Sequence, residues 1–294
     1  MPYRIRRLPA RPPVPGRRAA GGPLAVAVAS LLAAGALAPA PAAAAPSPPG
    51  AASGFPASVR ATGQARVTAA VLDLDGAGRT PVVYGDDAPY DTASIVKVDI
   101  LAALLLRAQD AGRGLSAQER SQAEAMIEHS DNAAANTLWR RIGLAPGLAA
   151  ANERLGLLST TGGPGAKWGL TRTTASDQIR LLGAVFGTDR AGAAGAASAL
   201  DGASRTRVRT LMGRVAADQS WGVSAAGSEW ALKNGWLRRS TTGRWDVNSV
   251  GRITGNDGHH YLVAVLSDGS TSMTDGVALV ERAARTAVAS SAAA

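Results

Sequence analysis

The stretch Thr92-Ala93-Ser94-Ile95-Val96-Lys97 places a serine three residues before a lysine, at the head of a long apolar run. Residues i and i+3 share one face of a helix, so the Ser94 hydroxyl and the Lys97 amine can meet there. A solvated lysine is a poor base near neutral pH because it stays protonated. Burial disfavours the charged form and lowers its pKa. A serine beside such an amine can be activated as a nucleophile, and at a helix N-terminus free backbone N–H groups favour a developing oxyanion. The plainer reading makes Ser94 an N-cap and Lys97 a residue that snorkels to water.

Two further groups carry chemistry. Ser130, Asp131 and Asn132 stand between two helical patterns in HSDNAAAN. All three are preferred N-cap types, which is reason enough for their presence. The chemical reading gives Ser130 a proton relay toward a leaving group and gives Asn132 an amide that bonds a substrate amide. Lys233-Asn234-Gly235 lies in WALKNGWL. Asn-Gly between apolar runs is a strong hairpin signal and would place a tight turn at 234–235. The chemical reading makes it an edge strand on a cleft. Lys233 then supplies charge for an anionic group, and Gly235 lets a substrate approach the backbone.

These residues need elements to hold them. RVTAAVLDLD (66–75) and TPVVYG (80–85) read as two strands joined by GAGR. Residues 94–111 read as a helix, apolar on most faces except Lys97 and Asp99 and therefore buried. Ser116 with Glu119 forms a capping box for a helix to about Glu128. DNAAANTLWRRIG, GLAAANERLG and TTASDQIRLLGAVFG give three more helices, each ending at a glycine. Residues 191–206 read as a loop leading into a helix that starts with RVRTLMGR. SEWALKNGWLRR, GRWDVNSVGRITG and HHYLVAVLSDG then read as three strands, and DGVALVERAARTAVAS as a closing helix. Strands at both ends with helices between them predict an α+β fold. A five-stranded antiparallel sheet, flanked by N- and C-terminal helices, would hold an inserted all-helical subdomain over about 95–220.

Composition narrows the chemistry. The 294 residues contain no cysteine, which excludes disulfides, thiolate metal sites and cysteine nucleophiles. The three histidines, His129, His259 and His260, read as turn or surface residues, and no metal is expected. The net charge of +9 comes largely from six arginines in the first 44 residues. Without them, 25 basic residues face 22 acidic ones (from 31 and 22), and no basic, aromatic-rich surface suggests nucleic acid. An arginine-rich start, the apolar PLAVAVASLLAAGALA and an A-x-A site at Ala42–Ala44 read as a signal peptide over residues 1–45. Residues 46–60 read as a flexible linker before a domain at 61–290. Export and cleavage would leave a secreted or cell-wall-associated protein with no membrane span, expected to be a monomer.

The set S-x-x-K, S-D-N, K-x-G occurs in that order, separated by 36 and 103 residues, and is the signature set of serine β-lactamases and penicillin-binding proteins. The chain resembles the class A β-lactamase family over roughly residues 60–290. KNGW…WDVNSVGRITG…YLVAVLSDG also looks like the C-terminal sheet of exported actinobacterial hydrolases of this group. The resemblance implies that Ser94 is the acylated nucleophile, Lys97 its base and Ser130 the proton relay. Asn132 positions the substrate amide and Lys233 holds a substrate carboxylate. Asn234 and Gly235 line the site, and the backbone N–H groups of Ser94 and Trp236 form the oxyanion hole. No cofactor is implied, and the partner is a small β-lactam or a cell-wall peptide.

Two departures from the family pattern stand out. The family's E-x-x-L-N loop, whose glutamate activates the deacylating water, has no counterpart, because no acid occurs from Leu157 to Arg172. Glu153 is nearest, but falls in a helix and reads as surface charge. Asn234 replaces the family's Thr or Ser; its amide is still expected to donate to a carboxylate. Three readings are compatible with these residues: slow-releasing β-lactam hydrolysis, a D-alanyl-D-alanine peptidase or esterase, and a binding protein without turnover.

Overall fold

The computed structural model describes residue 59 and residues 63–76, 80–187 and 199–292. The expected signal peptide, most of the linker, the GAGR turn beyond Gly76 and an N-terminal flanking helix lie outside the described residues. Strands β1 (Arg66–Asp73), β2 (Val82–Tyr84), β5 (Ser228–Arg238), β6 (Trp245–Thr254) and β7 (His260–Ser270) form one sheet in the order β2-β1-β7-β6-β5. All neighbours are antiparallel. Strands β3 (Tyr90–Asp91) and β4 (Arg172–Thr173) pair separately. Helices α1 (Val96–Asp110), α2 (Ala117–Glu128), α3 (Asn132–Ile142), α4 (Leu144–Leu155), α5 (Ala175–Phe186) and α6 (Gly202–Met212) lie between the first and last strands, and α7 (Met273–Ala292) closes the chain.

The sheet separates two apolar clusters because successive strand side chains point to opposite faces. On β7, Leu262, Ala264 and Leu266 face the cluster that contains α1 and α5. The alternate residues Val263 and Val265 face Val280, Ala283, Ala284 and Ala287 of α7. Helix α1 is buried along most of its length, as its composition predicts. Its second charged residue, Asp99, is enclosed with Gln178 Nε2 at 3.5 Å, and burial pushes its carboxyl up to about 7.

The helix ends follow their capping residues. Asp131 caps α3 by accepting from Ala134 N, and Thr174 and Asp201 cap α5 and α6 in the same way. Gly143 and Gly156 take left-handed backbone at the ends of α3 and α4, where a side chain would be strained. Helix α6 begins at Gly202, five residues before the start read from the sequence. Asp201, hydrogen-bonded to Ser204 N, supplies the cap. The larger correction concerns Asn234-Gly235. They do not turn; they lie inside β5 opposite Ser249 and Asn248, and the chain reverses after Arg238. Strand pairing over nine partner positions outweighs a local turn preference. Among the described residues no helix is long and apolar enough to cross a membrane.

Glu119 shows how much one cap residue can hold. Its side chain accepts from Ser116 N at 2.8 Å and pairs with Arg113 and Arg141. The Arg113 bond, with the others, holds its carboxyl down to about 2. A depressed acid contributes stability above its unfolded value and loses it as pH falls toward the folded one. Glu119→Ala is expected to lower urea stability at pH 7 by about 1–3 kcal/mol. The gap to the native chain should close as the pH drops from 4.5 toward 2.

Candidate active site

The site begins at a strained turn. After β3 the chain makes a 3-10 turn, Ala93–Ile95, that runs directly into α1. Ala93 has φ +48°, a left-handed conformation unusual for a residue with a Cβ. Ser94 follows half-buried at the mouth of α1, and Lys97 lies one turn further in with no exposed surface. The Lys97 Nζ donates to Ser130 O at 2.7 Å, Ser130 Oγ at 2.9 Å and Asn132 Oδ1 at 2.8 Å. The snorkelling alternative is therefore excluded.

Ser130 sits between α2 and α3 and also takes a positive φ, +53°. Asp131 N donates to Ala125 O at 3.0 Å, which folds the connector back on α2. The same Ser130 Oγ accepts from Lys233 Nζ at 3.0 Å, and Lys233 Nζ also donates to Asn234 O at 2.8 Å. One hydroxyl oxygen thus stands between two buried amines. Burial lowers Lys97 to about 7, partly opposed by Asp131. Burial also lowers Lys233 to about 7, and the neighbouring Lys97 charge adds to the effect. Such a pair can hold, release and pass a proton at neutral pH, which separate surface lysines cannot do.

Gly235 forms the other wall. A Cβ there would fall 2.7 Å from Ser94 N and Thr92 O, and 2.8 Å from Ile95 N. Only glycine lets the Ser94 turn sit this close to β5. Trp236 is half-buried, its ring 5.9 Å from that of Trp221. Asn234 departs from its expected part. Its Nδ2 donates to Gln219 O at 2.8 Å and to Trp221 O at 2.9 Å, so both amide hydrogens are committed to protein backbone. Its Oδ1 is buried without a partner. Asn234 therefore fastens the 219–221 segment to β5 and has no amide N–H free for a carboxylate.

Trp168 carries no motif in the sequence. It belongs to a 3-10 turn, Trp168–Leu170, in the connection that lacks acids. Its ring lies 4.8 Å from Lys97 Nζ, and its Nε1 donates to Asn136 Oδ1 at 2.8 Å. Gly169 packs against Ala93, where a Cβ would lie 3.8 Å from the Ala93 Cα. An aromatic residue thus occupies the loop position facing the lysine. Its one sequence signal is an aromatic in a connection where the family pattern calls for an acid. Glu153 is exposed on α4, as its sequence suggests. His259 and His260 pair with Asp73 and Asp75 in turns of the sheet, and His129 ends α2. Among the described residues no group of His, Asp or Glu could hold a metal ion.

The model of the beta-lactamase enzyme family matches residues 114–290. The chain belongs to this family. The match contains Ser130, Asn132 and Lys233 but starts after Ser94 and Lys97, which the fold brings to the same place. Members of this family are serine hydrolases, and so is this chain. Among solved structures, penicillin-binding protein PBP-A is similar at 20% identity and TM-score 0.62, over 78% of this chain and 91% of that one. The extended-spectrum β-lactamase TLA-3 is similar at 16% identity and TM-score 0.65, over 78% and 94%. A class A β-lactamase from Bacteroides cellulosilyticus is similar at 14% identity and TM-score 0.64, over 78% and 93%. These likenesses concern the fold. No curated protein matches the chain.

The two lysines make a linkage prediction. Each is lowered from 10.5 to about 7 in the folded protein, so between those values the unfolded chain binds more protons. Stability should therefore rise as pH increases from 7 toward 10. Denaturation across that range should show the rise, and Lys233→Met should flatten part of it. An equal slope in both proteins would contradict the assignment.

Proposed function

We propose that this family member is an exported hydrolase that acylates Ser94 with a β-lactam and releases the product slowly. The observation carrying the reading is the Ser130 Oγ held at 2.9 Å from Lys97 Nζ and 3.0 Å from Lys233 Nζ. Ser94 Oγ bonds to the lactam carbonyl carbon while its proton passes to Lys97. The C–N bond then breaks as Ser130 delivers its proton to the nitrogen and is resupplied from Lys97. The N–H groups of Ser94 and Trp236 face the oxyanion, Asn132 takes the substrate amide, and Lys233 attracts the substrate's anionic group. Asn234 has no direct part because its amide is already bonded. Export rests on the signal-peptide pattern of residues 1–45.

A second reading is favoured by Trp168. The loop beside Lys97 carries an indole, and residues 157–172 hold no acid to activate water. That suits a D-alanyl-D-alanine peptidase or esterase, because penicillin-binding peptidases also lack the glutamate loop. Comparing turnover of a chromogenic β-lactam with release of D-alanine from a peptide separates the two.

Mass spectrometry after mixing with penicillin G should show one added penicillin on Ser94, and Ser94→Ala should show none. Lys97→Arg keeps a permanent charge and should slow acylation by about 10²–10⁴-fold. Rapid hydrolysis with no detectable adduct would contradict slow release. An adduct on the Ser94→Ala chain would remove Ser94 from the role.

A further inference from the structure

The backbone ahead of Ser94 is held by a side chain that no motif includes. Asn248 lies on β6, fully buried, directly across from Gly235. Its Nδ2 donates to two successive carbonyls, Asp91 O at 2.9 Å and Thr92 O at 3.1 Å. Its Oδ1 accepts from Ser267 N at 3.0 Å, beside an irregularity in the β6–β7 pairing. Every hydrogen-bonding group of the amide except one lone pair is therefore used, and the three partners fix its orientation.

Both carbonyls lie just ahead of the nucleophile. Thr92 O belongs to the turn that sets Ser94, and Ile95 N reaches it only at 3.3 Å. Between Thr92 and Ser94 stands Ala93 at φ +48°. A left-handed alanine persists only where its surroundings over-determine it. Other contacts hold this segment by different handles. Thr92 N donates to Thr171 O at 2.8 Å, and the Asp91 carboxylate pairs with Arg172 and Arg239. Among the described residues, only Asn248 donates side-chain N–H groups to the carbonyls of both Asp91 and Thr92. The bare Gly235 leaves room for the turn, and Asn248, its cross-strand neighbour, grips the turn there.

We propose that Asn248 is a positioning residue that fixes the Asp91–Thr92 carbonyls and thereby aims the Ser94 N–H at the acyl oxygen, an oxyanion in the tetrahedral intermediate and a carbonyl in the acyl-serine. The inference rests on the acyl-serine reading of the site. It does not place Asn248 in contact with substrate. Displacing a donor from an oxyanion by a fraction of an ångström weakens transition-state binding more than ground-state binding.

The readout is the ester carbonyl stretch of the penicillin G adduct, taken by infrared difference spectroscopy with a ¹³C-labelled lactam carbonyl. Hydrogen bonds to the carbonyl oxygen lower that frequency. Asn248→Ala should raise it and slow acylation about 10- to 100-fold, with the dissociation constant of the preceding complex unchanged. Asn248→Asp has the same size, keeps an acceptor for Ser267 N and lacks both donors. It should do the same, and it supplies the reading if the alanine protein does not fold. Ser267→Ala removes a buried hydroxyl bonded to Val247 O in the same sheet region and serves as the structural control. Its adduct should keep the native frequency. Folded Asn248 variants with native frequency and rate would overturn the proposal, as would an equal shift in Ser267→Ala. A native chain that forms no adduct would overturn the acyl-serine reading itself, and the aiming role with it.

Discussion

One oxygen atom organises the site. Ser130 Oγ accepts from Lys97 and Lys233, side chains contributed by α1 and β5, from a connector between α2 and α3. Two buried ammonium groups this close repel one another and have little water to relieve them. Burial thus lowers both amines toward about 7, where a lysine can exchange its proton at neutral pH. The rest of the architecture meets the requirements of that pair. An almost wholly buried α1 desolvates Lys97, the strained Ser130 backbone presents its carbonyl and its hydroxyl together, and an edge strand brings Lys233 in from the other side.

The Ser94 turn is held by a second and different constraint. It packs on β5 where Gly235 has no side chain, and bonds to residues 91 and 92 tie it to Thr171, to Arg172 of β4 and to Asn248 of β6. The lysine pair and the Ser94 turn thus meet on β5, at Lys233 and Gly235. The connection from Leu157 to Arg172 holds no acid. In that connection Trp168 presents its ring to Lys97, 4.8 Å from Nζ, where it favours the cationic form.

Much of this was legible in the sequence. The order of strands and helices followed from period-two and helical patterning, the helix starts from Ser116, Asp131 and Thr174, and the burial of Lys97 from the apolar run around it. Three features were not legible, for one physical reason: each depends on contacts between residues far apart in the chain. Asn234-Gly235 has the local chemistry of a turn, and only pairing with β6 makes it a strand. Asn234 looks like a ligand for an anion until the carbonyls of Gln219 and Trp221 take both its hydrogens. Trp168 and Asn248 belong to no spacing pattern, and their neighbours, Lys97 and Asp91, lie 71 and 157 positions away.

The central claim is that the two lysines flanking Ser130 titrate together near neutrality. The direct measurement is an NMR titration of the Lys97 and Lys233 side chains with ¹³C-labelled lysine, assigned by Lys97→Arg and Lys233→Arg. Both are expected to change protonation near pH 7, in coupled steps. If both stay charged until about pH 10, as solvated lysines do, the account of the site is wrong.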